Sequence, residues 1–130
     1  MSHLQKIKSG FIDVGNLRTA LAAFGWALEE NCRMKTYAGD PKGQEIYDYV
    51  AVNPDVTGYD LAFRYNGNEL ETFGDFYKGS LTRAFGENLC ELKKKYGRCV
   101  FAQEWEMQGF TVFETVEADG SVVLEAELAS

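Results

Sequence analysis

The stretch Gly58-Tyr-Asp-Leu-Ala-Phe-Arg-Tyr-Asn-Gly-Asn-Glu-Leu70 reads as a β-hairpin turning at Asn66-Gly67. An Asn-Gly pair supplies the two positive-φ residues that a two-residue type I′ turn requires. That turn predicts Tyr65 opposite Asn68, Arg64 opposite Glu69 and Phe63 opposite Leu70. Side chains alternate along a strand, so Tyr59, Leu61, Phe63 and Leu70 fall on one face. Asp60, Arg64, Glu69 and Glu71 fall on the other, with only Ala62 apolar among them. The pattern predicts an antiparallel sheet buried on one side. It speaks to architecture and not to chemistry.

Working outward, 130 residues suit a single domain spanning 1–130, and a 45% hydrophobic composition can build a core without disulfide or metal staples. A net charge of −7 argues against nucleic acid or an anionic membrane as partner, because phosphate binding needs a field of Lys and Arg. The one dense basic run, Lys93-Lys94-Lys95, sits near the end of a predicted helix, where cations complement the dipole. The first thirty residues lack the apolar core of a signal peptide, and no apolar run approaches the ~20 residues that cross a bilayer. Cys32, Cys90 and Cys99 are odd in number, far apart and without a C-x-x-C. Such a pattern fits reduced thiols and a cytoplasmic location.

Along the chain, Leu4 to Ile12 reads as a first strand interrupted at Ser9-Gly10. Leu17, Ala20, Leu21 and Phe24 recur at helical spacing, with Asp13 or Asn16 as cap and Gly25 as stop. Trp26 to Glu29 begins a short strand, Met34 to Tyr37 suggests another, and 38–43 is turn-rich. Glu45 to Asn53 alternates as a central strand, with Ile46, Val50 and Val52 opposite Tyr47, Tyr49 and Ala51. Leu81, Phe85, Leu89, Leu92 and Tyr96 form one helical stripe, capped by Ser80 and closed by Gly97. Arg83–Glu87 and Glu91–Lys95 are opposite-charge pairs at i,i+4. Residues 98–108 favour a second helix, with a strand as the alternative. A final hairpin runs from Phe110 to Leu128 around Asp119-Gly120. A two-residue turn there would set Glu114 opposite Glu125. A three-residue turn with Gly120 left-handed avoids this, and gathers Val112, Val116, Val122, Leu124, Ala126 and Leu128 on one face. The predicted fold class is α+β: an antiparallel sheet with two hairpins, covered on one face by two to three helices.

Few residues carry chemistry. The single histidine, His3, lacks an assignable nucleophile or orienting partner, so a structural or surface role is the simpler reading. The carboxylates (Glu29-Glu30, Asp48, Asp60, Glu114, Glu125, Glu127) have no ligand spacing, and a solvated acidic face explains them. Asp60 is set apart by facing outward between two aromatic residues. The glycines form neither a P-loop nor G-x-G-x-x-G. Tyr37, Tyr47, Tyr49, Tyr59, Tyr65 and Tyr77 are dense enough for a binding surface, though two-faced strand packing explains them as well.

Several stretches together resemble a family of small cyanobacterial and plastid hypothetical proteins, a domain of unknown function with relatives in other bacteria and phage. They are Met1-Ser-His3, Ile7-Lys8, Leu17, Ala20, Leu21, Gly25, Tyr37-Ala-Gly39, Gly58-Tyr-Asp60, Asn66-Gly67, Tyr96, Gln108-Gly-Phe110 and Asp119-Gly-Ser121. The chain departs from that family at Leu4, where it tends to Phe, and in a longer stretch from Cys32 to Val56. The resemblance implies no reaction and no catalytic residues. The reading that follows is a non-enzymatic binding or assembly module acting through a sheet surface or edge on a protein partner or a second copy, with no cofactor or metal. The alternative is a small-ligand pocket or enzyme site near His3, Tyr37 and Asp60.

Overall fold

The computed structural model describes residues 4–36, 41–76 and 79–128, with the side chain of Lys42 also left out; His3 and Tyr37 lie outside the described residues. In chain order the elements are β1 (Leu4–Ile7), α1 (Val14–Ala23), β2 (Ala27–Cys32), β3 (Tyr47–Val52), β4 (Leu61–Asn66), β5 (Glu69–Asp75), α2 (Ser80–Phe85), α3 (Cys90–Met107), β6 (Phe110–Val116) and β7 (Val122–Leu128). Among the described residues, β1 to β5 form one sheet in the order β1-β5-β4-β3-β2, every neighbouring pair antiparallel. β6 and β7 pair with each other as a second, two-stranded sheet. The α+β architecture expected from the sequence is therefore present.

The β4–β5 hairpin turns one residue later than Asn66-Gly67. Asn66 pairs with Glu69, so Gly67 and Asn68 form the turn, and only Gly67 (φ +67°) is left-handed. A glycine alone at the first central position fits a type II′ turn, so the Asn66 side chain has no part in supplying positive φ. The register slides by two residues: Phe63 faces Thr72, Arg64 faces Glu71 and Tyr65 faces Leu70. A slip of two preserves the faces, because side chains alternate with period two. Leu61, Phe63 and Leu70 accordingly share one buried cluster.

That cluster is sealed by the helices. Leu17, Ala20 and Leu21 of α1, Leu81 and Phe85 of α2, and Leu92 of α3 pack against Leu28, Ala51, Leu61, Phe63 and Leu70. Asp13 caps α1, its carboxylate accepting from the Asn16 backbone N–H, and Gly25 (φ +81°) follows the helix end. The hydroxyl of Tyr96 on α3 accepts both the Ile12 and Asp13 N–H groups at 3.0 Å, and Asn16 Nδ2 donates to Gln103 Oε1. The opposite face carries a smaller cluster of Met34, Tyr47, Val50, Ala62 and Phe73. The sheet is thus buried on both sides at its centre.

Several local expectations change. Regular pairing of β1 ends at Ile7, and Phe11, beyond Gly10 (φ +81°), instead accepts the Leu70 N–H. Met34 to Thr36 is irregular rather than a strand, since its groups bond to Asp60 and Asp75 side chains. Tyr47 joins Val50 in the second cluster while Ile46 is exposed, contrary to the expected alternation. There Asn31 is left-handed (φ +50°), and the Asp48 carboxylate, not the backbone ladder, receives the Tyr65 N–H. Among the described tyrosines only Tyr65 is exposed, so they mostly pack.

The stripe from Leu81 to Leu92 is buried as expected and Tyr96 half-buried, but the stripe is divided between two helices and a 3-10 turn that carries Leu89. Gly86 (φ +78°), Asn88 and Leu89 adopt positive φ and break the run. Ser80 does not cap α2; its hydroxyl accepts the Tyr59 N–H. α3 passes straight through Gly97 to Met107, absorbing the expected second helix. Lys93–Lys95 consequently lie in its N-terminal third, where the dipole disfavours cations, and ion pairs answer for two of them instead. Lys94 meets Glu91 at 3.4 Å, and Lys95 meets Glu114 at 3.3 Å, in place of Glu91–Lys95. At the last hairpin the three-residue turn is borne out. Glu117 N–H bonds the Ser121 carbonyl, and Gly120 is left-handed at φ +89°.

Gly97 lies inside a helix, and a Cβ added there would meet nothing within 4 Å. Gly97→Ala is expected to raise unfolding stability by about 0.5–1 kcal/mol through helix propensity, measured by urea denaturation.

Candidate functional site

Asp60, expected to point outward, is buried, with 5% of its surface exposed. The residue precedes β4, and its backbone N–H donates to the Lys35 carbonyl at 2.8 Å. Its carboxylate accepts the Lys35 N–H at 2.7 Å and the Asn53 N–H at 2.9 Å. Both oxygens are thereby engaged by backbone donors from two separate segments. Burial pushes the carboxyl above its ordinary value, and the Asn53 and Lys35 amides pull it back. Such a group latches chain segments; nothing in its geometry offers it as a base.

Asp75 is the residue that sequence reasoning missed. Asp75 closes β5, one residue past the last β4–β5 pair, Leu61–Gly74. Asp75 is fully buried, accepts from the Thr36 hydroxyl at 3.4 Å, and stands opposite Leu4 on β1. No local pattern marks it, since Leu4 and Thr36 are both far from it in the chain. Two of the expected site residues, His3 and Tyr37, lie outside the described residues. Their described chain neighbours, Leu4 and Thr36, both meet Asp75. Among the described residues no three His, Cys, Asp or Glu side chains are grouped to hold a metal ion.

A second region is built by α3 and the C-terminal hairpin. Phe110 packs edge-on against Trp105 with ring centroids 5.0 Å apart. Glu114 reaches Arg98 at 2.8 Å and Lys95 at 3.3 Å. Hydrogen bonding to Arg98 above all, and to Lys95, holds the Glu114 carboxyl below its ordinary value. These contacts seat β6 on α3. Between β7 and α3 an open cleft of about 640 Å³ remains, lined by Glu91, Lys94, Gly97, Arg98, Phe101, Gly120, Ser121, Val122 and Leu124. Elsewhere Tyr65, 47% exposed, packs edge-on against Tyr49 with ring centroids 5.8 Å apart. Interaction with Tyr65 above all, then burial, pushes the Tyr49 hydroxyl up to about 12.

A family model described as "Protein of unknown function (DUF1257)" matches residues 20–124. The chain belongs to the DUF1257 family. The matched span runs from the middle of α1 into β7, so it includes both buried clusters' strands except β1, the Asp60 latch and the cleft-forming part of the hairpin. Neither the curated proteins nor the solved structures contain a match. The three cysteines are free thiols, all half-buried, and among the described residues no helix is long and apolar enough to cross a membrane.

Asp60→Asn leaves a single acceptor oxygen for two N–H donors and turns an NH₂ toward one of them. It is expected to cost about 1–3 kcal/mol of unfolding stability by denaturant titration. Glu114 has a depressed folded value, so its stabilisation is present above the ordinary glutamate range and is lost as pH falls through the folded value. Acidification below that range is expected to loosen the hairpin, read as a change in Trp105 fluorescence before global unfolding. Glu114→Gln should abolish this acid step and, because the pair is partly exposed and screened, cost only about 0.5–1 kcal/mol at neutral pH.

Proposed function

We propose that this chain is a non-enzymatic binding and assembly module that acts through the edge of its C-terminal hairpin. The observation carrying this reading is that β6 and β7, seven residues each, pair only with one another among the described residues. Unlike β3, β4 and β5, neither contains a fully buried residue. A two-stranded ribbon is marginal by itself, and an unpaired edge of this length is a template for another strand. Apolar side chains around it are uncovered: Val116 is 67% exposed, Leu128 76% and Met107, at the end of α3, 81%. The partner is a protein segment or a second copy; the net charge of −7 supports neither nucleic acid nor an anionic membrane. Three free thiols support a reducing, cytoplasmic setting, and the residue pattern supports the cyanobacterial and plastid kinship.

A second reading, a small-ligand pocket near His3, Tyr37 and Asp60, is favoured by one observation. Leu4 opposite Asp75, Thr36 on Asp75 and Lys35 on Asp60 bring the chain neighbours of His3 and Tyr37 together with both aspartates. On that reading, ligands found by NMR screening move the Asp60 and Asp75 amides and leave β7 unmoved.

Ala126→Pro tests assembly directly. Glu117 bonds Ser121 across the turn, and pairs alternate from there, so the Ala126 N–H points away from β6 and is spent on no internal bond. The wild-type chain, purified from its native cells, is expected to run well above its 14.6 kDa monomer mass by light scattering, and Ala126→Pro to run as the monomer. A wild-type chain that runs as a monomer overturns the reading.

A further inference from the structure

The cleft under β7 gives the assembly reading a partner of definite chemistry. Bonded pairing at Glu117–Ser121 makes Val123 and Glu125 the residues bonded to β6 and leaves the N–H and C=O groups of Val122, Leu124 and Ala126 on the open edge. The side chains of Val122 and Leu124 also line the cleft, so an added strand would continue its roof. Its floor is α3, where Phe101 and Gly97 leave apolar, open space beside Lys94 and Arg98. The charged residues lining the cleft are Lys94 and Arg98 against Glu91, with Arg98 also held by Glu114 at 2.8 Å, so Lys94 is its available cation in a chain of net charge −7. The Lys94 side chain is 64% exposed and its Glu91 contact a loose 3.4 Å.

The outer face of the hairpin has the opposite character. Glu125 and Glu127 alternate with the cleft-facing residues and are exposed. A strand laid beside β7 meets like charge if its outward side chains are acidic, and opposite charge if its cleft-facing ones are. A second copy of β7 has the wrong pattern. It carries Glu125 and Glu127 outward and offers only Val122, Leu124, Ala126 and Leu128 toward Lys94 and Arg98.

We propose that the β7 edge and its cleft dock an extended segment of another protein whose cleft-facing positions alternate acidic and apolar and whose outward positions are uncharged or basic. The proposal rests on the assembly reading and names its partner. Main-chain bonds to Val122, Leu124 and Ala126 supply affinity, while Lys94 and Phe101 supply selection.

The test titrates the full chain into two labelled peptides and reads fluorescence anisotropy. One is acetyl-Thr-Glu-Thr-Leu-Thr-Glu-Thr-amide, the other the same peptide with Lys for Glu. The acidic peptide is expected to bind about tenfold tighter than the basic one, with affinity falling as salt rises. Lys94→Glu, its fold checked by circular dichroism, should remove or reverse that preference, and Ala126→Pro should weaken the acidic peptide. Equal binding of the two peptides, or a preference untouched by Lys94→Glu, overturns the proposal. If that happens while Ala126→Pro still dissolves a native assembly, the partner chemistry is wrong and the assembly reading stands. If neither peptide binds and the native chain is a monomer, both fall.

Discussion

Everything in this fold answers to one constraint: the β4–β5 pair is buried on both of its faces. Leu61, Phe63 and Leu70 are fully buried toward the helices, and Ala62 and Phe73 are buried on the other side. A half-covered sheet would need only the helices. Here the second face requires its own cover, which includes Met34, brought in after β2 by chain that forms no strand. Crossing a sheet without regular pairing leaves backbone N–H groups that need partners. Asp60 meets that need for Lys35 and Asn53 together, which explains why a carboxylate is kept where burial disfavours its charge.

The same constraint separates the two sheets. With β3, β4 and β5 filling the centre, β1 and β2 are the edges, and the C-terminal strands add to neither. They rest on α3 instead, through the Trp105–Phe110 contact and the Glu114 ion pairs. That support is aromatic and electrostatic rather than a closed core. The result is a five-stranded sheet with a two-stranded ribbon set apart from it on α3.

Much of this was legible in the sequence because it depends on local rules. The period of Leu17, Ala20 and Leu21, the Asp13 cap, the Gly25 stop and the Gly120 turn each follow from a few adjacent residues. The faces of the central hairpin survived a wrong turn assignment because an even slip leaves alternation intact. What misled was long-range. Asp60 alternates with inward residues and so reads as outward, yet it lies just before the strand and bonds to segments 7 and 25 residues away. Gly97 reads as a helix stop, but α3 continues because its faces pack on α1 and on β6. Asp75 could be found only once its contacts with the distant Leu4 and Thr36 were known.

The sequence by itself determined the α1 helix with its cap and stop, the two hairpins and the faces of their strands, since propensity, capping and periodicity act over a turn or two of chain. Only the tertiary structure decided that both faces of the sheet are covered, that Asp60 is a latch and not a surface acid, and that Asp75 is buried beside Leu4 and Thr36. Likewise only the folded chain sets β7 over Lys94 and Phe101 with its edge open. These depend on which distant segments meet, and no local pattern encodes a meeting between residues that are neighbours only in the folded chain.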